Sequence, residues 1–159
     1  MFKHILVPTD GSALSESTVS RAVTFASEAG ARITFFYAQP DFPMPIYGEG
    51  ALIDPTTPEQ FAKSAAAEAQ SILDKAKAVA DSAGVVAATD TVVNEIPYEA
   101  VIDAADRHGC DLIFMASHGR RGIAGLLLGS ETHKVLTHCK IPVLVYRLTA
   151  SFGNSPVNA

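Results

Sequence analysis

Two stretches of this sequence bring glycine, hydroxyl and charge together. One is Pro8-Thr9-Asp10-Gly11-Ser12. The other runs Met115-Ala116-Ser117-His118-Gly119-Arg120-Arg121-Gly122 and on to Gly129-Ser130-Glu131. Glycine lets a backbone approach an anion closely and take up positive φ. A Gly-Ser pair opening a helix offers unpaired N–H groups at the positive end of the helix dipole. Arg120 and Arg121 add positive charge to a chain with a formal net charge of -5, from 12 Lys+Arg against 17 Asp+Glu. Such chemistry suits a phosphate cradle. The same residues also suit a plain turn followed by a helix capped by Ser130. Asp10 has two uses as well. It can close an Asx turn before the first helix, and it can accept a hydrogen bond from a ribose hydroxyl or an adenine amine.

Catalytic patterns are weaker. Ser117, His118 and Asp10 hold the residue types of a nucleophile–base–acid set, but their spacing fixes no base against a nucleophile, and no G-x-S-x-G elbow occurs. There is no G-x-x-x-x-G-K-[ST] loop, and no G-x-G-x-x-G follows the first apolar run. Cys110 and Cys139 are too few and too far apart for a zinc site, and read as reduced thiols. The residues are therefore read as binding groups, with no catalytic residue and no metal ligand assigned.

Short apolar runs alternate with helical periods along the chain. Strands are expected at His4–Pro8, Ala31–Ala38, Val85–Val93, Asp111–Ser117 and Ile141–Leu148. The first helix shows Leu14, Thr18, Ala22, Phe25 and Ala29 on one face and ends at Gly30. Thr57-Pro58-Glu59-Gln60 reads as a capping box opening the second helix. Its expected apolar stripe is Phe61, Ala65, Ala69, Ile72, Ala76, Val79 and Ala83. Pro97 opens a third helix that closes at Gly109, and a short fourth helix spans Ser130–His138. Four prolines and two glycines make 39–57 a long loop, suited to a lid or to a variable surface segment. Strand–helix alternation of this kind calls for a parallel sheet covered on both faces. Ligands of such sheets sit beyond the carboxyl ends of the strands, where the strand order reverses. Both glycine-bearing stretches follow strands, so they meet if the first and fourth strands are neighbours.

The chain has 159 residues, of which 48% are hydrophobic and 18% charged. That length suits one domain over 1–148, with a frayed tail over 149–159. The acidic balance does not favour a nucleic-acid partner. No stretch approaches the roughly 18 apolar residues of a membrane span. The opening apolar run is cut by Pro8 before it reaches the length of a signal-peptide core. A cytoplasmic protein is expected.

From Phe2 to about Arg147 the sequence resembles the universal stress protein family. ATP-binding members carry G-x2-G-x9-G-[ST] after the fourth strand. Here Gly119, nine residues, and Gly129-Ser130 fall in register, and Ala116 stands in place of the first glycine. Asp10 matches the family's nucleoside-holding aspartate, and Ala38 lies where the family uses the end of the second strand. The segments 111–119 and Ile141-Pro142-Val143-Leu144-Val145 are also family-like. The resemblance implies an open parallel sheet of order 3-2-1-4-5, the adenine nucleotide alpha hydrolase-like arrangement, with helices on both faces. It implies an ATP or AMP ligand, with Mg2+ or Mn2+ as a possible companion. Its binding set would comprise Pro8, Thr9, Asp10, Ala38, Met115, Ala116, Ser117, His118, Gly119, Arg120, Gly122, Gly129, Ser130 and Glu131. It further implies a homodimer through the last strand, at Val143, Leu144 and Val145. The function implied is that of a stress-response signalling module. The competing readings are a nucleotide-free interaction protein of the same fold and a slow ATPase.

Overall fold

A computed structural model describes residues 1–43, 56–118 and 128–148. In chain order its elements are β1 (His4–Pro8), α1 (Ala13–Ala29), β2 (Arg32–Gln39), α2 (Pro58–Ser82), β3 (Ala87–Val93), α3 (Pro97–His108), β4 (Leu112–Ala116), α4 (Ser130–His138) and β5 (Val143–Tyr146). The strands form one parallel sheet in the order β3-β2-β1-β4-β5. β1 is thus flanked by β2 and β4, the adjacency that the site requires.

Alternation along the strands divides the core into two layers. Ile5, Val7, Leu112 and Phe114 face one way, toward Val19, Ala22, Val23 and Ala26 of α1 and Ala69, Leu73, Ala76 and Ala80 of α2. Leu6, Ile113 and Met115 face the other way, toward Ala100, Val101, Ala104 and Ala105 of α3 and Val135 of α4. Phe35 and Phe36 are consecutive and fully buried, one in each layer. Each large side chain removed from water contributes about 1.5–3 kcal/mol. The continuous apolar run of β2 is the sequence trace of a strand covered on both sides.

Helix ends follow their signals. Thr57 accepts from the Gln60 N–H while the Gln60 side chain accepts from the Thr57 N–H, closing the capping box. Gly30 and Gly109 terminate α1 and α3 in the left-handed conformation, at φ 64° and 62°. The buried stripe of α2 differs from the one expected. It runs Ala65, Ala69, Leu73, Ala76 and Ala80, while Val79 is exposed. Alanines allow close approach to the sheet, and the branched Val79 is turned to the margin. β5 is shorter than expected because its partner is short: the ladder pairs Ile113–Ala116 with Val143–Tyr146 and ends there. Its apolar residues are half-buried rather than bare, with Val143 packed on the α3–α4 layer and Leu144 on the α1–α2 layer. Cys110 is buried and Cys139 partly so, and both are free thiols. Burial, helped by the Asp111 carboxylate, pushes the Cys110 thiol up to about 11, so it stays protonated and acts as a small apolar group.

The amino ends of β1 and β4 are tied by one carboxylate. Asp111 accepts from the backbone N–H groups of Lys3 and His4, at 2.8 and 3.0 Å. The buried His4 ring bonds Thr34 Oγ1 through Nε2 at 2.8 Å, and its Nδ1 is buried with no hydrogen-bond partner. Burial first, then the charges of Arg32 and His108, hold the His4 pKa below its ordinary value, against smaller upward pulls from the His108 backbone and then the Asp111 carboxylate. In the unfolded chain this histidine titrates near about 6.5. As pH falls through that value, the unfolded chain gains a proton that the folded one resists, so stability is lost. His4→Gln keeps a side chain able to bond Thr34 but removes the titration. Urea unfolding measured between pH 7.5 and 5 is expected to show a shallower acid loss of stability in His4→Gln than in the parent.

Candidate functional site

At the carboxyl end of β1 the chain turns on a small hydrogen-bond network. Pro8 lies in register with Phe36 of β2, and the Thr9 N–H donates to the Phe36 carbonyl, extending the ladder by one step. The Thr9 hydroxyl is 2.6 Å from Ser15 Oγ, and that same Oγ accepts from the Asp10 N–H at 3.0 Å. Asp10 Oδ1 accepts from the Ser12 N–H at 2.9 Å, closing an Asx turn, and Gly11 between them takes φ 75°. Ser12 is the N-cap of α1. Asp10 is therefore fixed on three sides, by Ser15, by Ser12 and by the strand before it. Ser15 is the residue of this turn that sequence reasoning missed. Its signal was present: a hydroxyl one helical turn after the Ser12 cap, on the buried face of α1.

The β4 end is built by three close contacts. The Ser117 N–H donates to the Tyr146 carbonyl of β5 at 2.9 Å, closing the ladder's last pair, Ala116 with Tyr146. The Ser117 carbonyl then accepts from the Gly129 N–H at 2.8 Å. The hydroxyl of Thr132, a residue 2% exposed, donates to the Ala116 carbonyl at 3.0 Å. Together these seat the first turn of α4 directly on the end of β4. Thr132 was missed from sequence, where a threonine two residues after a Gly-Ser pair carries no distinctive pattern. The Met115 side chain is buried in the α3–α4 layer.

Ser130 differs from its expected role as a cap. Gly129 occupies the N-cap with φ -61° and ψ 152°, and Ser130 is the first residue of the helix. Among the described residues no group bonds the exposed Ser130 hydroxyl. Ala116 sits in a strand, and no non-glycine residue among those described has positive φ. Its methyl, in place of the family's glycine, therefore costs no backbone strain. Ser117 Oγ lies 3.2 Å from His118 Nδ1. Ala38 sits in the penultimate position of β2, in register with Val92 of β3, and is half-buried. Gly119, Arg120 and Gly122 lie outside the described residues, as does most of the 39–57 loop.

The Glu131 carboxylate has partners on both α3 and α4. Its Oε2 accepts from the Tyr98 N–H at 2.9 Å and its Oε1 pairs with Lys134 Nζ at 3.1 Å. A carboxylate next to the Gly-Ser pair would repel a phosphate if it lay in the same space, and here it is engaged elsewhere.

Glycine at 129 is required by contact rather than by φ. A Cβ there would meet the His118 Cα at 3.0 Å, its Cβ at 3.1 Å and the Ser117 carbonyl oxygen at 3.3 Å. Two of those three atoms are backbone, fixed in turn by the bond to Tyr146. Any side chain at 129 thus strains the junction of β4 and α4 as well as filling the space before the helix. Gly129→Ala is expected to destabilise the fold by about 1–3 kcal/mol, read as a lower urea midpoint at unchanged slope.

The model of the universal stress protein family matches residues 1–147. Universal stress protein MJ0531 of Methanocaldococcus jannaschii is 30% identical over 150 residues, covering 92% of this chain and 83% of its own. Among solved structures, the hypothetical protein MJ0577 of the same organism superposes with a TM-score of 0.77 at 26% identity, over 95% of this chain and 99% of that one. A universal stress protein in complex with cAMP superposes with a TM-score of 0.67 at 28% identity, over 93% of this chain and 99% of that one. Family model, relatives and fold agree over nearly the whole described chain, and the protein belongs to the universal stress protein family.

Proposed function

We propose that the protein is an adenine-nucleotide-binding regulatory module, taking ATP or AMP in the crevice beyond the carboxyl ends of β1 and β4. The observation that carries this reading is the Gly129–Ser130 junction. It combines a glycine that only close contact requires, a helix N-terminus and a hydroxyl that none of the described residues bonds. Anions are favoured at such a terminus by unpaired N–H groups and by the helix dipole. Ala116 and Glu131 are both compatible with binding, since Ala116 is unstrained and Glu131 is engaged by Tyr98. A relative of the same fold, 28% identical, is in complex with cAMP.

In this reading the nucleoside lies against Pro8, Thr9, Asp10 and Ala38. The phosphates lie against the backbone of 115–118 and against Gly129 and Ser130, with Gly119, Arg120 and Gly122 completing the cradle. Mg2+ or Mn2+ would accompany a triphosphate. The role is binding rather than turnover: the Ser117–His118 pair is adjacent in sequence, and its spacing points to no oxyanion site. β5 stands at the sheet edge with half-buried Val143, Leu144 and Val145, and an edge of this kind can continue its pairing in a second copy as a homodimer. Among the described residues no helix is long and apolar enough to cross a membrane, and we place the module in the cytoplasm.

The direct test is to denature protein purified without added nucleotide and separate the supernatant by ion exchange, beside ATP and AMP titrations of the native protein with and without Mg2+ or Mn2+. Stoichiometric adenine nucleotide or saturable binding is expected. Absence of both would leave a nucleotide-free interaction protein of the same fold. Asp10→Asn retains an acceptor for the Ser12 N–H and removes the charge. It is expected to weaken AMP and ATP by about tenfold, or about 1.4 kcal/mol, with inorganic triphosphate binding unchanged. Calorimetry compares the two.

A further inference from the structure

Helix α3 starts without a cap of its own. Its N-cap position is Ile96, with no side-chain hydrogen bond, and its first residue is Pro97, which has no N–H to offer. The Ile96 N–H is satisfied by Asn94 Oδ1 at 2.8 Å. The next donor along the chain, the Tyr98 N–H, has no acceptor within α3 or the turn before it. Its partner comes from another helix: Glu131 Oε2, at 2.9 Å and 33 positions away.

Glu131 is the second residue of α4, in the turn that begins with Gly129 and Ser130. Its carboxylate therefore belongs by position to one helix N-terminus and serves a second. Two further contacts tighten the junction. Lys134 bonds Glu131 Oε1 at 3.1 Å and lies 5.4 Å from the centre of the Tyr98 ring. The Tyr98 ring packs on His138, with ring centres 5.3 Å apart. Tyr98 thus meets α4 through three residues on successive turns.

We propose that Glu131 is a positioning residue for the phosphate site: by capping α3 at Tyr98 it fixes the first turn of α4 and keeps its own charge away from the Gly129–Ser130 terminus. This proposal rests on the nucleotide-binding reading above for its functional half. Its structural half, the cross-helix cap, stands without it. A carboxylate two residues into a helix is attracted to that helix's own N-terminus. Left untied, Glu131 would compete with a phosphate there. Tied to Tyr98, it contributes the same favourable charge to the start of α3.

Two substitutions separate positioning from simple charge. Glu131→Gln retains an oxygen acceptor for the Tyr98 N–H without the charge. Glu131→Ala removes both. For each variant and the parent, Tyr98 amide exchange is followed by NMR, and AMP affinity by calorimetry. The cap predicts that Glu131→Ala exchanges the Tyr98 amide about fivefold faster, as loss of a typical cap does. It also predicts about fivefold weaker AMP binding in that variant. Glu131→Gln stays within about twofold of the parent in both measurements, the margin of a retained hydrogen bond. If both variants bind AMP more tightly and leave Tyr98 exchange unchanged, Glu131 is only a charge near the site and the proposal is overturned. If the parent binds no nucleotide, the functional reading fails, and Tyr98 exchange alone decides whether the cap exists.

Discussion

Strand β1 has to satisfy two ladders and two layers at once. β2 pairs with it on one side and β4 on the other, and helices cover both its faces. Buried backbone without a partner is costly, so a central strand of only five residues leaves almost no freedom of register. The chain runs outward from β1 to β2 and β3, then crosses back to β4 on the other side. The strand order therefore reverses between β1 and β4, the place where open parallel sheets take their ligands. Asp10 and the Ser117–Gly129 junction follow the carboxyl ends of two adjacent strands because the strand order makes β1 and β4 neighbours.

Much of this was legible in the residues. The capping box at Thr57, the glycines closing α1 and α3, and the doubly buried run of β2 are local patterns, each with a local physical cause. The site was legible for the same reason in part: a glycine, a hydroxyl and a helix start are neighbours in sequence. The order of the strands was not local, and entered through the resemblance of segments such as 111–119 and 141–145 to a known family. What escaped reading were contacts between residues distant in the chain. The α2 stripe turns on which of Ile72, Leu73, Val79 and Ala80 meets the sheet, and the sheet is built from other segments. Thr132 bonding the Ala116 carbonyl leaves no trace in spacing.

Ser130 and Glu131 show the same limit in opposite senses. Ser130 looked like a cap, because serine at a helix start usually is one. The chain instead uses Gly129 there, since only glycine fits against the His118 backbone, and the serine hydroxyl is released. Glu131 looked like a liability beside a phosphate site. Its actual partner lies on a different helix, so one carboxylate answers the unfilled donor of α3.

The bond from the Gly129 N–H to the Ser117 carbonyl, with Thr132 fastened to Ala116 beneath it, acts as a clasp across the intervening segment. Both ends are thereby held, one by the sheet and the other by α4. The entropy of closing a flexible loop grows only logarithmically, by about 0.6 kcal/mol for each doubling of length. A clasp of this kind lowers the stability cost of changing the length of chain between its ends. A protein built this way can revise what it recognises without renegotiating how it folds.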